Sequence, residues 1–246
     1  MINDILDYIN LISSKKKPIV IHSSLWALSL LSGKSLNYIN KKIFETLKFC
    51  AKKNTVLIPA FTKGFNKSKY INLDNSKIIT GSLPEYIFKK NFFKRSSSAF
   101  FSFLYKGKLE NRIENLQPKY AWGINSVFDW IYKNDCQMIT LGNHPTNCSL
   151  THYAEWLLRK KISYREEKAF SGTIELNKKK FFSKEILFVR KKKINNNFLK
   201  LYDPLKKGGL EVKSIKGFIV SNISAKKKIK IIKKILLSNS KFLIEK

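Results

Sequence analysis

The sequence predicts an α/β fold, a central mixed sheet flanked by helices with a smaller C-terminal α+β lobe. Three observations predict it. Short apolar runs suited to buried strands alternate with helical stretches through the first two thirds. From Thr173 onward the pattern changes to paired strands followed by helices. A chain of 246 residues, 43% hydrophobic, suits one domain over 1–246 with residues 173–246 as a lobe of it. No internal repeat or low-complexity linker divides it.

Taken in order, Asn3 and Asp4 are suited to cap a helix running to about Ser13, which Lys15-Lys16-Lys17-Pro18 breaks. Ile19-Val20-Ile21-His22 predicts a buried strand, and Ser23-Ser24 a cap for helical residues 25–31. Leu36, Ile39, Ile43, Leu47 and Cys50 give helical spacing over 35–53, and 55–59 predicts a second buried strand. Residues 63–80 are polar and aperiodic, which predicts a surface loop. Ser82 and Glu85 form a capping box with Pro84 in the first turn, and Ser126 with Asp129 starts another short helix. A strand is predicted at 137–141, a helix at 149–161, strands at 173–176 and 181–190, and helices near 198–206 and 225–237.

Composition narrows the function classes. The formal net charge is +31, from 48 basic against 17 acidic residues, which invites a basic, non-catalytic nucleic-acid-associated protein. Yet the bases are lysines apart from Arg95, Arg112, Arg159, Arg165 and Arg190. Lys, Ile, Asn and Phe all have codons made only of A and T, so base composition accounts for the charge without a selected polyanion. The lysine runs also lack interleaved aromatics, so no specific nucleic acid is expected. The charge still favours anionic over polycationic ligands. No apolar run approaches the ~20 residues of a membrane span. Cys50, Cys136 and Cys148 are scattered and odd in number, which predicts free thiols and a cytoplasmic setting. No glycine-rich phosphate loop occurs, and the histidines and cysteines lack metal-ligand spacing.

Only three histidines are available, His22, His144 and His152. In Ser149-Leu-Thr-His152-Tyr-Ala-Glu155, residues three apart share a helix face, so Glu155 is placed to orient His152 as a general base. The alternative is Ser149 as a helix cap with His152 and Glu155 on a solvated first turn. His22 ends a strand before two serines, a turn suited to a phosphate or pyrophosphate. Cys148, four residues before His152, raises a Cys-His nucleophile pair against the commoner buried structural cysteine. Arg165 is a candidate contact to sugar or phosphate, or a surface partner of Glu166 or Glu167.

Six segments in order resemble the aminoglycoside 3-N-acetyltransferase family. These are Ile21-His22-Ser23-Ser24-Leu25, residues 55–62 ending in Pro59-Ala-Phe-Thr62, and Thr80-Gly-Ser-Leu-Pro-Glu85. They continue with Arg95-Ser96 through Ser102-Phe103, Gly123 to Trp130, and Ser149 to Glu155. Ser98-Ala99 stands where the family has His-Pro, and Ser149 where it has Thr. The resemblance covers roughly residues 19–172.

It implies a coenzyme A thioester, acetyl-CoA, as cosubstrate, with no metal, and transfer of acetyl to the amine of an amino sugar. His152 would deprotonate the amine, Glu155 support the imidazole and Ser149 stand near the reacting centre. His22, Ser23, Ser24, Leu25, Thr62, Arg95, Ser96 and Ser102 would line the coenzyme A pocket. Glu85, Ser126 and Arg165 would face the acceptor. Transfer would be direct, leaving Cys148 dispensable. Residues 152–155 with Tyr164-Arg165 and Phe170-Ser-Gly172 resemble a branch acting on nucleotide-linked or surface-polysaccharide sugars more than the antibiotic-resistance enzymes. The Ser98-Ala99 departure leaves open an inactive member that binds coenzyme A. A homodimer is admitted but not required.

Overall fold

The computed structural model describes residues 1–116 and 118–245. Helix α1 (Ile2–Ser13) turns Ile5, Ile9 and Ile12 inward. Its start differs from expectation: Met1 holds the cap position, and Asp4 pairs with the terminal ammonium at 3.0 Å. Strand β1 (Ile19–Ser23) leads to α2 (Trp26–Ser32), whose cap position falls to Leu25, so Ser23 and Ser24 are not its caps. Helix α3 (Leu36–Lys53) is capped by the Ser35 side chain accepting from Tyr38 N–H. It presents Ile39, Ile43 and Leu47 to the sheet, each worth about 1.5–3 kcal/mol when buried. Strand β2 (Thr55–Pro59) follows.

The segment 63–80 is not a bare loop. It forms α4 (Phe65–Ser68) and β3 (Tyr70–Asn72), and buries Phe65, Ile71, Leu73 and Ile78. Its apolar residues are too irregularly spaced to show a period; β3 is held by parallel pairing with a strand a hundred residues later. Next come α5 (Ser82–Phe88), β4 (Lys94–Arg95), β5 (Phe103–Gly107), α6 (Glu110–Glu114) and α7 (Val127–Lys133). Gly81 caps α5 and Ser82 is its first helical residue, so the expected capping box does not form. Ser126 does cap α7, accepting from Asp129 N–H at 3.2 Å.

Strand β6 (Gln137–Leu141) precedes α8 (Leu150–Leu157), which ends four residues before the expected Lys161. Strands β7 (Arg165–Leu176) and β8 (Lys179–Arg190) make a long hairpin that starts earlier than the sequence pattern indicates. A 3-10 turn at Phe198–Leu201 runs into α9 (Tyr202–Lys207). Strands β9 (Glu211–Ile215) and β10 (Phe218–Ser224) and helix α10 (Ala225–Ser238) complete the chain.

The central sheet has the order β4-β5-β2-β1-β6-β10-β9, and β3, β7 and β8 form a second, smaller sheet. Strands β2, β1 and β6 are parallel and the outer pairings antiparallel, a mixed α/β sheet. Side-chain alternation splits the core in two. Ile19, Ile21, Val56, Ile58, Ile139 and Leu141 face α1, α3 and α5. Val20, Leu57 and Met138 face α7, α8 and α10. With both faces covered, the central strands carry continuous apolar runs. The final third divides between the sheets: β9 and β10 extend the central one, while β7 and β8 build the other.

From β1 the chain moves to β2 on one side, and later to β6 on the other. Helices leaving the two neighbours therefore diverge, opening a crevice above the carboxyl ends of β1 and β6. Gly142, just beyond β6, has φ 73°, and a Cβ there would meet Ser24 O at 2.2 Å. Gly142→Ala is expected to lower stability by about 1–3 kcal/mol through the left-handed backbone alone. Urea denaturation beside the parent chain measures this; an unchanged midpoint would refute the tight packing of this rim.

Candidate active site

The crevice is a cavity of about 620 Å³. Its walls come from the ends of the parallel strands: His22 and Ser23 at the end of β1 with Ser24 and Leu25 beyond it, Pro59 ending β2 with Phe61 beyond it, and Asn143 and Ser149 after β6. Trp26, Leu36 and residues 79–82 close the far side. None of the lining residues is acidic. His22 Nδ1 is a buried atom without a hydrogen-bond partner, an orphaned polar group at the cavity wall.

Ser149 holds the position before α8, without a side-chain cap hydrogen bond, and His152 and Glu155 follow on the next two turns. Glu155 is fully buried. Its Oε2 lies 2.6 Å from His152 Nδ1, and its Oε1 accepts from Tyr164 Oη–H at 2.7 Å and Arg165 Nε–H at 2.9 Å. Burial alone would push this carboxyl up. The hydrogen bond and charge of His152, then Arg165 and Tyr164, outweigh it and hold Glu155 below the ordinary glutamate range. Arg165 Nη2 also approaches His152 Nδ1, at 3.1 Å. A guanidinium only donates and a carboxylate only accepts, so one ring nitrogen serves one of them. The shorter contact assigns the Nδ1 proton to Glu155, leaving the Nε2 lone pair as the basic site.

Two aromatic rings pack edge-to-face against the imidazole, Trp122 at 5.2 Å and Phe198 at 5.4 Å between centroids. Neither aromatic was expected from sequence. Trp122 carried one signal, the following Gly123, whose Cβ would meet the Trp156 ring at 2.7 Å. Phe198, in a 3-10 turn far along the chain, carried none.

Of the residues expected along the pocket, His22, Ser23, Ser24, Leu25 and Ser149 line the cavity. Thr62, Arg95, Ser96 and Ser102 do not, and the correction has a physical reason. Arg95 Nη2 donates to Ala60 O, Nη1 to Leu73 O and Ser76 Oγ, and Nε to Ser102 Oγ. Burial lowers the affinity of that guanidinium for its proton, to about 10, and four of its five N–H donors are committed inside the protein. Ser102 donates to Ala60 O, Thr62 to Ala99 O, and Ser96 accepts from Phe103 N–H. These four knit the loop behind the cavity wall.

The acceptor-side expectations are also redistributed. Glu85 pairs with Lys89 at 3.2 Å in a separate surface depression, and Ser126 is buried as a helix cap. Arg165 is neither exposed nor paired with its sequence neighbours: Glu166 pairs with Lys168, Glu167 with Arg159, and Arg165 with Glu155. Where the family pattern has His-Pro, Ser98 Oγ–H and Ala99 N–H both donate to buried Glu185. Burial still pushes that carboxyl up to about 7.

A histidine backed by a buried carboxylate, one helix turn from the cavity-lining Ser149 at a switch point of an α/β sheet, is an arrangement suited to group transfer. Residues 20–236 match the family model described as aminoglycoside 3-N-acetyltransferase, and the chain belongs to that family of acyltransferases. The solved structure of AAC-IIIb with CoASH superposes with a TM-score of 0.74 at 16% identity, covering 91% of this chain and 90% of that one. YokD from Bacillus subtilis gives 0.70 at 16%, covering 92% and 88%, and sisomicin-bound AAC-VIa gives 0.73 at 13%, covering 91% and 92%. No curated protein sequence gives a significant match. Among the described residues, no cluster of His, Cys, Asp and Glu is placed to hold a metal, and no helix is long and apolar enough to cross a membrane.

Arg165→Met is expected to destabilise the fold by about 3–5 kcal/mol at neutral pH, because it leaves Glu155 charged and buried without its guanidinium. Glu155 is held low in the folded state, so its contribution is present above the unfolded glutamate value, about 4.3, and is lost as pH falls through the folded one. The gap between variant and parent should therefore narrow in acid. Urea midpoints measured from neutral pH downward would contradict this if the gap stayed constant.

Proposed function

We propose that this enzyme transfers the acetyl group of acetyl-CoA directly to the amine of an amino sugar, with His152 as general base. The observation that supports this best is the His152–Glu155 contact of 2.6 Å, one helix turn from cavity-lining Ser149. The cavity suits the cosubstrate: it has about 620 Å³ of space, a lining free of carboxylates that would repel phosphates, and the unpartnered His22 Nδ1 at its border. His22 to Leu25 would hold the cosubstrate on one wall, with Ser149 near the thioester.

Near neutral pH a sugar amine is largely protonated, and an ammonium has no lone pair with which to attack. The ammonium first loses a proton to solvent, and the free amine then adds to the thioester carbonyl. His152 Nε2 takes the second proton from the nitrogen, the C–S bond breaks as the amide forms, and the proton on His152 passes to the departing CoA thiolate. Glu155 balances the charge that builds on the imidazole. Trp122 and Phe198 fix the ring plane and limit water around it.

The acceptor would be a nucleotide-linked or surface-polysaccharide amino sugar in preference to a polycationic aminoglycoside. An aminoglycoside needs carboxylates around it, and the chain has 17 acids against 48 bases. Glu155, closest to the reacting centre, is already committed to three donors.

His152→Ala should lower kcat by about 10²–10⁴. Glu155→Gln should lower it less, and both should keep the rise in Tm that acetyl-CoA gives the parent. Wild-type turnover by His152→Ala would contradict the assignment of the base. Across a panel of acceptors, kcat/KM should favour UDP-linked amino sugars over sisomicin; the reverse order would contradict the acceptor class.

A further inference from the structure

Helix α2 turns its apolar residues outward. Its exposed residues are Trp26, Ala27, Leu30 and Leu31, and Trp26, Leu30 and Leu31 are 66%, 63% and 49% exposed. At about 100° per residue these four positions share one arc of about 140°, turned away from buried Leu28. The two serines of the helix spend their hydroxyls on backbone: Ser29 Oγ–H donates to Lys34 O at 2.6 Å, and Ser32 Oγ–H to Leu28 O at 2.6 Å. One exposed apolar side chain is ordinary. A contiguous face of them with no polar group among them marks a surface for binding. That face stands at the rim of the cavity, because Trp26 also belongs to the cavity lining.

The border of the face is basic. The left-handed turn at Gly33, φ 62°, leads straight to exposed Lys34. In the β9–β10 turn, a Cβ at Gly217 would lie 3.8 Å from both Leu31 methyls, and neighbouring Lys216 has a side chain 69% exposed. Asp4, 3.8 Å from Lys216, is shared with the terminal ammonium at 3.0 Å and does not reverse the local sign. Tryptophan and leucine ringed by lysine suit the boundary between water and lipid: rings and methyls enter the acyl region while ammonium groups meet headgroup phosphates. A second copy of the chain is the poorer occupant, because two molecules of net charge +31 repel, whereas a negatively charged lipid surface attracts. We propose that the α2 face docks the enzyme peripherally on an anionic lipid bilayer, placing the mouth of the cavity at the lipid surface.

The test mixes the whole enzyme with vesicles of phosphatidylglycerol and phosphatidylcholine in equal parts, and with vesicles of phosphatidylcholine alone. Trp26 supplies the reporter, since Trp122, Trp130 and Trp156 are buried. The expected result is co-sedimentation with the anionic vesicles, a blue shift of tryptophan emission, and quenching by lipids brominated along the acyl chain. Trp26→Phe should still sediment but lose that quenching. Leu30→Gln with Leu31→Gln leaves the charge unchanged; it should keep the parent's Tm and weaken vesicle binding about tenfold or more. A protein of this charge also adheres to anionic lipid through its lysines alone, and the readouts separate that case. Sedimentation without quenching of Trp26, or sedimentation indifferent to the leucine substitutions, would overturn the proposal. So would no binding to the anionic vesicles, or a lipid-free dimer in sedimentation velocity that the leucine substitutions dissolve.

Discussion

A fully buried carboxylate, Glu155, is the constraint around which the site is organised. A buried charge survives only when its oxygens are satisfied, and here three side chains satisfy them: His152, Tyr164 and Arg165. Each comes from a different element. His152 shares α8 with Glu155, Tyr164 ends the connection that follows, and Arg165 begins β7. Arg165 Nη1 also donates to Phe188 O on β8 at 3.0 Å, so the same cluster fixes the hairpin against the helix. The requirement that neutralises Glu155 therefore also sets the imidazole plane. On the proposed mechanism, stability and catalysis share one set of hydrogen bonds.

The position of that cluster follows from topology. Parallel β2, β1 and β6 end on the same side of the sheet, and the reversal of strand order at β1 leaves the crevice open above it. The β6–α8 connection carries Cys148 and Ser149 along this edge before the helix begins. Helix α10 packs behind it, and Lys228 reaches the carbonyl of Pro145. An enzyme with so few acids keeps its essential one away from water, while the cavity wall is left neutral or basic. That division suits an anionic cosubstrate entering beside a buried carboxylate.

Much of this frame was legible in the sequence. Continuous apolar runs at 19–22, 55–59 and 137–141 identified the strands buried on both faces, helical periodicity located α3, and cap and break residues marked out α1. The pairing of His152 with Glu155 was legible because it is local, three residues apart on one helix. What escaped was non-local. Residues 63–80 acquire their strand only by pairing with β7, and β4 and β5 have no distinctive pattern of their own. Arg95 read as a ligand contact through the family resemblance, and Arg165 through its place after the helix, as a ligand contact or a surface partner of Glu166 or Glu167; the structure buries both among internal partners. Phe198 meets His152 across 46 residues of chain, a distance at which periodicity carries no information.

The central claim is that Glu155 fixes His152 with its proton on Nδ1 and its lone pair on Nε2. Nitrogen NMR of histidine-labelled protein near neutral pH, with His152→Ala to assign the signals, measures that arrangement directly. The account predicts a protonated Nδ1, a strongly deshielded Nδ1–H in contact with the carboxylate, and an unprotonated Nε2. A His152 ring protonated at Nε2 alone would face Glu155 with a bare lone pair, and that result would contradict the account.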